Sequence, residues 1–308
     1  MFLFEAIPWY SWLMFLGVTL GLILLNEFSR LNKWTALFCF ALVPLALTLF
    51  VWPATAGAGS STGTWFHWVK VYSALAGCLG FLLIRMSRKV ENSKFRVIFP
   101  PLILALNILE ACVRDFQCFS LNGVVDGVMM VGGPWNIMNG IAGILNILTI
   151  SGFTGIYVSA GKRRDMVWPD MLWFWIIAYD IWNFAYVYNC VSDHSFYAGA
   201  ALLIAPTLAA FFIKKGAWLQ HRAHTLAFWM MFTMACPAFV DKTIFAVQSS
   251  HSPAALFTVS ALALASNVAV FAYAAYRIRK YKRNPFKQEL YTDLKAYQEV
   301  AQKAGAAQ

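Results

Sequence analysis

What most restricts how this chain can fold is a strict alternation in its connections. Apolar runs occupy residues 9–26, 34–52, 65–84, 97–117, 135–158, 171–189, 196–213, 225–247 and 254–276, and Lys or Arg falls only in every second gap. Arg30 and Lys33 lie in the first gap, Arg85, Arg88, Lys89, Lys94 and Arg96 in the third, Lys162, Arg163 and Arg164 in the fifth, and Lys214, Lys215 and Arg222 in the seventh. The gaps between them, PATAGAGSSTGT, CFSLNGVVDGVMMVGGP, CVSDHS and QSSHSP, hold neither residue. Apolar runs of this length cross the roughly 30 Å hydrocarbon core as helices, and the connections left in the cytoplasm carry the excess of Lys and Arg. The chain therefore reads as all-α: a polytopic integral membrane helical bundle of about nine transmembrane helices, N-terminus out and C-terminus in.

Composition supports the class. The 308 residues are 60% apolar and 12% charged, far from the balance of a soluble domain. The formal charge of +10 sits in alternate gaps and the tail, which points to anionic lipid at the inner face and away from nucleic acid. MFLFEAIPWY has no basic segment before its apolar run, so that run reads as a retained span. Trp9, Trp34, Trp52, Trp65, Trp135 and Trp168 stand at run ends, as an interfacial aromatic belt requires. Residues 1–276 are expected to form the transmembrane domain and 277–308 a basic cytoplasmic tail. In that tail Phe286, Leu290, Leu294, Tyr297 and Ala301 follow helical spacing, and the readings are an amphipathic surface helix or a solvated tail. The expected location is a bacterial cytoplasmic membrane.

Charge inside the apolar runs is the functional signal. WFWIIAYDIWNFAYVYN, residues 173–189, carries Asp180 about 15 Å along its helix from Asp170, near mid-membrane. An acid at that depth costs roughly 2.5 kcal/mol or more on insertion scales unless a partner or water receives it. Trp175, Tyr179, Trp182, Tyr186 and Asn189 define one face of this helix, with Asn183 beside it. Lys70, Glu110, Arg114, Asp241 and Lys242 all fall in the outer half of their runs. This asymmetry suggests a polar vestibule open to the outside and floored by Asp180. The structural alternative is internal ion pairing, Glu110 with Arg114 or Asp241 with Lys70, that fixes helix register. Asn139, Gly143 and Asn146 form a narrow stripe on the run from 135, read either as close helix association or as a substrate-facing surface. LNGVVDGVMMVGGP, with Asp126 near its tip, reads as a re-entrant or lid-like segment.

The expected function is transport of a small polar or cationic solute. Asp180 is its centre, Tyr179, Asn183, Trp182, Tyr186, Asn139 and Asn146 bind the solute, and Lys70, Glu110, Arg114, Asp241 and Lys242 form a gating network. The alternatives are an integral-membrane enzyme acting on a lipid-linked substrate at the outer face, with Asp180 or Glu110 as acid or base, and a structural or sensory membrane protein. No cofactor, metal or catalytic set is expected. His221 and His224 form an HxxH in a basic gap without a nearby acid or thiol, and Asp193, His194 and Ser195 are adjacent, which a spatially assembled triad does not need. Tyr179-Asp180 resembles the intramembrane aspartyl proteases in those two residues, but GVVDG stands where that family has GxGD and its Pro-Ala-Leu is missing, so no protease is implied. The six cysteines lack metal spacing and read as buried thiols, with a Cys118–Cys190 disulfide as the alternative for that pair.

Overall fold

A computed structural model describes residues 2–125 and 127–303. The chain is mostly helical, in the expected order: α1 (Trp9–Ser29), α2 (Lys33–Phe50), α3 (Trp65–Met86), α4 (Phe95–Cys118), α5 (Pro134–Leu148), α6 (Trp173–Cys190), α7 (Ser192–Ile213), α8 (Trp218–Ala235), α9 (Pro253–Tyr281) and, in the tail, α10 (Lys295–Lys303). Six of these, α1, α2, α3, α4, α7 and α9, are long and apolar enough to cross a membrane. Their outward surfaces are apolar: Trp9, Leu16, Leu20 and Leu24 on α1, Leu42, Leu45 and Leu49 on α2, and Leu102 and Leu106 on α4 are exposed. A soluble fold would not present such an area to water.

Local chemistry sets the helix ends. α5 and α9 open on Pro134 and Pro253, where the missing N–H costs nothing. Asn32 caps α2 by accepting from the Trp34 and Thr35 amides at 2.8 and 3.1 Å. Pro206 lies inside α7, which has wider π-type turns at Ser195–Ala201 and Ala209–Ile213 on either side of it.

Two helix boundaries differ from the sequence reading. The run expected to extend to 158 ends at Leu148, where the Thr149 hydroxyl turns back to the Leu145 carbonyl at 3.1 Å and Gly152 takes a left-handed φ of 62°. A side chain at Gly152 would strike the Asp170 carboxylate. The next strands, β1 (Asn122–Val125) with β2 (Val128–Val131) and β3 (Tyr157–Val158) with β4 (Met166–Val167), are antiparallel hairpins in two connections. The glycine-rich segment expected to be re-entrant is thus the β1–β2 hairpin; Asp126 lies outside the described residues. The run expected at 225–247 begins at Trp218 and breaks at Cys236-Pro237, which places His221, Arg222 and His224 on α8 instead of in a loop.

α9 packs on α5 and α6, α5 on α4, and α8 on α3 and α1, so two groups of helices meet where α3 packs on α4 and α6 on α7. At the basic end the tail folds back on the bundle. Leu290 and Tyr291 are buried there, and their amides donate to the Asp170 carboxylate at 3.0 and 2.9 Å. The expected helical spacing is realised over Lys295–Lys303, while Leu290 and Tyr291 ahead of it pack against the bundle.

Candidate functional site

Between α3, α6, α7 and α8 the bundle leaves a narrow cavity of about 60 Å³. Phe66, Val187, Leu202, Leu226, Trp229 and Met230 make its apolar wall. Lys70, Asn107, Asn183, Tyr186, Arg222 and Thr233 make the polar one.

The two cations on that wall are held differently. Lys70 Nζ lies 2.9 Å from Glu110 Oε2 and donates to the Asn107 carbonyl at 2.8 Å, while Ser73 donates to the same Glu110 oxygen at 3.2 Å. Its charge is neutralised where it stands. Arg222 is 5% exposed, and its one hydrogen bond runs from Nη2 to Asn183 Oδ1 at 3.3 Å. The guanidinium also stands 5.9 Å over the Tyr179 ring. Nε and Nη1 have no partner, and among the described residues no carboxylate comes within 4.0 Å of the group. The Tyr186 hydroxyl, equally buried, is also without a partner. Each orphaned donor costs about 1–3 kcal/mol, and an unpaired buried cation costs more.

Toward the far end, away from the basic connections, His194 forms part of the cavity wall and part of a second, polar cleft with Ser61, Gly127, Asp193, Asp241 and Lys242. His194 Nε2 meets Asp241 Oδ1 at 2.9 Å, and Ser61 donates to Asp241 Oδ2 at 2.7 Å. His194 is thus common to cleft and cavity, and its hydrogen bond to Asp241 lies where the two adjoin.

The basic end is closed by a larger node. Asp165, from the connection after α5, accepts from Arg30 Nε and Nη2 at 2.9 Å each and from Gln220 Nε2 at 2.9 Å, with Arg85 Nη2 at 3.9 Å. Burial alone would raise this carboxyl; the hydrogen bonds and charge of Arg30, with Gln220 and Arg85, outweigh it and hold the group well below the usual carboxylate range. Arg163 and Arg164 add ion pairs to Glu27 and Glu91.

The sequence profile of one family matches residues 5–303. The chain belongs to DUF5692, a family of unknown function. No curated protein and no solved structure matches it.

In this DUF5692 protein the structure brings together only part of the expected site. Tyr179, Asn183, Tyr186 and Lys70 line the cavity. Asp180 does not: its Oδ2 accepts from Thr207 at 2.7 Å, and it borders an apolar groove with Ile177, Phe184, Leu203 and Leu262. Arg222, not an acid, carries the unpaired charge on the cavity wall. Trp182 is fully buried against α5, donating to the Asn139 carbonyl at 3.1 Å. Asn139 donates to Asp115 at 2.7 Å and Asn146 to Asn267 at 2.8 Å, so the amide stripe joins helices and does not face the cavity. A side chain at Gly143 would meet Cys112 Sγ at 2.4 Å, which is the close approach expected of that stripe.

The gating residues also re-pair. Glu110 bonds Lys70 instead of Arg114, and Asp241 bonds His194 instead of Lys70, while Lys242 is exposed on the outer cleft. Arg114 is buried at the far end of α4 and does not border the cavity. The Nδ1 atoms of His221 and His224 bond Asn26 and Ser29 of α1 at 2.9 and 3.1 Å, and His221 Nε2 is left without a partner. Asp193, His194 and Ser195 turn to three different partners, His251, Asp241 and the Ser192 carbonyl. Cys118 and Cys190 lie within hydrogen-bonding reach of each other as free thiols. Sequence reasoning passed over Arg222, the Asp165 node and Asp115. For Arg222 a signal existed: AWLQHRAHTLAFW contains no turn residue, so the helix had no reason to begin after it.

Proposed function

We propose that this protein is a polytopic membrane transporter for a small polar solute, with nine helices crossing the membrane, N-terminus out and C-terminus in. The solute enters from the far end through the cleft at Asp241, passes His194, and binds in the Lys70–Arg222 cavity. The observation that carries this reading is Arg222. Charges that serve assembly alone should be paired, and Lys70 with Glu110 or Arg30 with Asp165 fit that description. A buried guanidinium with two idle donors on the wall of a cavity does not. It is explained by a solute that supplies the missing acceptor. The contrast between the ends supports the direction of entry, because interlinked Arg–carboxylate pairs close the basic end, whereas the other holds two separate His–Asp contacts, His194–Asp241 and His251–Asp193.

Accessibility tests this. In a Cys236→Ser background, which removes the exposed native thiol, Met230→Cys places a thiol on the cavity wall. A membrane-impermeant thiol reagent is expected to label it from the outside and to be blocked by bound solute. Labelling from neither side points to a scaffold, and labelling from the basic end alone reverses the proposed direction.

A further inference from the structure

The cavity's chemistry says which class of solute it takes, given the reading of it as the solute site. We infer that the solute is a small monocarboxylate with an apolar body, its carboxylate held by Arg222 and its body against the Phe66, Leu226 and Met230 wall.

The argument starts from charge. With Lys70 matched by Glu110 and Asp241 by His194, the guanidinium is the unbalanced group on this surface. Asp180 is close enough to interact with the Arg222 charge, but it is not on the cavity wall: its Oδ2 accepts from Thr207 and it borders a separate groove. A cationic solute would meet a like charge with no carboxylate free to receive it, so the cationic half of the expected solute class is excluded by the site's own balance.

Geometry narrows the anion. A guanidinium presents two forks, Nε with Nη2 and Nη1 with Nη2. Asn183 takes one of the two Nη2 hydrogens, and whichever it takes, the other points alongside an idle donor. One complete fork therefore stays open, the arrangement that matches both oxygens of a carboxylate. The Tyr186 hydroxyl is a further unpartnered donor on the same wall. Inorganic anions would satisfy these donors but would leave the apolar half of the wall against water. An amino acid would bring an ammonium for which no free acceptor of negative charge is present among the described cavity residues, since Glu110 is occupied by Lys70.

The test uses the full chain in detergent and in proteoliposomes, with phenylacetate and 4-methylvalerate as probes against benzylamine, phenylalanine and inorganic phosphate. Both carboxylates are expected to raise the melting temperature saturably, and the other three to leave it unchanged. Arg222→Met should abolish the shift, while the unliganded variant melts no lower than the parent, because a lone buried cation has been removed. If Arg222 were a packing residue only, that variant would instead be destabilised and would keep the shift. Tyr186→Phe, which breaks no hydrogen bond within the protein, should weaken carboxylate binding about 3- to 10-fold. Stabilisation by benzylamine or phosphate equal to that by phenylacetate overturns the inference, as does an unchanged carboxylate shift in Arg222→Met. Uptake separates the two readings: carboxylate binding without uptake removes transport and leaves the site, whereas uptake of an amine with no carboxylate binding removes the site and leaves transport.

Discussion

Replacing Asp165 with Asn asks how firmly the basic end is locked. Asn keeps one oxygen, so the Oδ1 contacts of Arg30 Nε and Gln220 survive in weaker form, while Oδ2 becomes an NH₂ facing Arg30 Nη2. One charge-assisted hydrogen bond is lost, about 1.5–3 kcal/mol. The Gln220 bond becomes neutral and the Arg30 Nε bond keeps charge on its donor alone, while Arg30, 1% exposed, loses one of its two carboxylates and keeps Glu27. Breaking one side of a buried pair typically costs 3–5 kcal/mol, and with Glu27 retained a loss of about 3 kcal/mol is expected here. The assay is SDS-titrated unfolding of the full chain in mixed micelles, with Lys215→Met as the control. Lys215 pairs with Glu299 at 3.1 Å but is about a third exposed, so that change should cost under about 1 kcal/mol. The pH dependence follows from sign. Asp165 titrates lower in the folded chain than in the unfolded one, so its contribution is complete above the ordinary carboxylate value near 3.9 and is lost as pH falls below it toward the folded value. Parent and variant should differ by the same amount from about pH 5 to 8 and converge in stronger acid. A difference under about 1 kcal/mol at pH 7, or one that shrinks between pH 5 and 8, refutes the reasoning.

Asp170→Ala removes the acceptor of both tail amides and of Ser151, so trypsin should cut at Lys287 and Lys295 at least tenfold faster in the variant, read by mass spectrometry of the released peptide. Gly143→Ala drives a methyl to 2.4 Å from Cys112 Sγ and 2.7 Å from Trp182 Nε1, and should cost about 1–3 kcal/mol in the same unfolding titration. Mild oxidation of the folded protein should join Cys118 to Cys190, lowering the number of thiols that maleimide labels after denaturation by two. Cys118→Ser should abolish the loss.

The helices were legible because membrane helices need long apolar runs, and their ends less so, because those depend on contacts made elsewhere. α5 stops at Leu148 where Gly152 must pass the Asp170 carboxylate, and nothing in ILTISGF announces that neighbour. Arg222 was lost for a different reason. Every Lys or Arg between two apolar runs is counted as loop charge by the orientation rule, and this one belongs to the first turns of α8. Tyr179, Asn183 and Tyr186 of α6 line the cavity, and the same helix geometry removes Asp180 from that face. At 100° per residue Asp180 points about 130° away from the mean direction of the aromatic stripe. Depth drew attention to the acid, but direction decides what it touches. The amide partners Asn139 and Asn146 show the same limit: a polar stripe states that something is bonded across the helix, and only the packing of α4 and α9 says that the partners are Asp115 and Asn267.

A transporter needs its solute to bind one arrangement of the helices better than another, since a ligand without such a preference shifts nothing. α8 is placed to carry that preference. Gln220 holds Asp165 through its amide nitrogen and the Met166 N–H through its oxygen at 2.9 Å each, so it belongs to the lock at the basic end. Arg222, two residues on, faces the cavity, and His221 and His224 on the same turns are held by α1. One helical turn thus touches the binding cavity, the lock and a neighbouring helix. On the proposed reading, an anion shared by α6 and α8 neutralises Arg222, and any movement of that turn must act on Gln220. The far-end contacts, His194–Asp241 and His251–Asp193, involve no residue of that turn, so on the same reading solute exchange there does not require the lock to open.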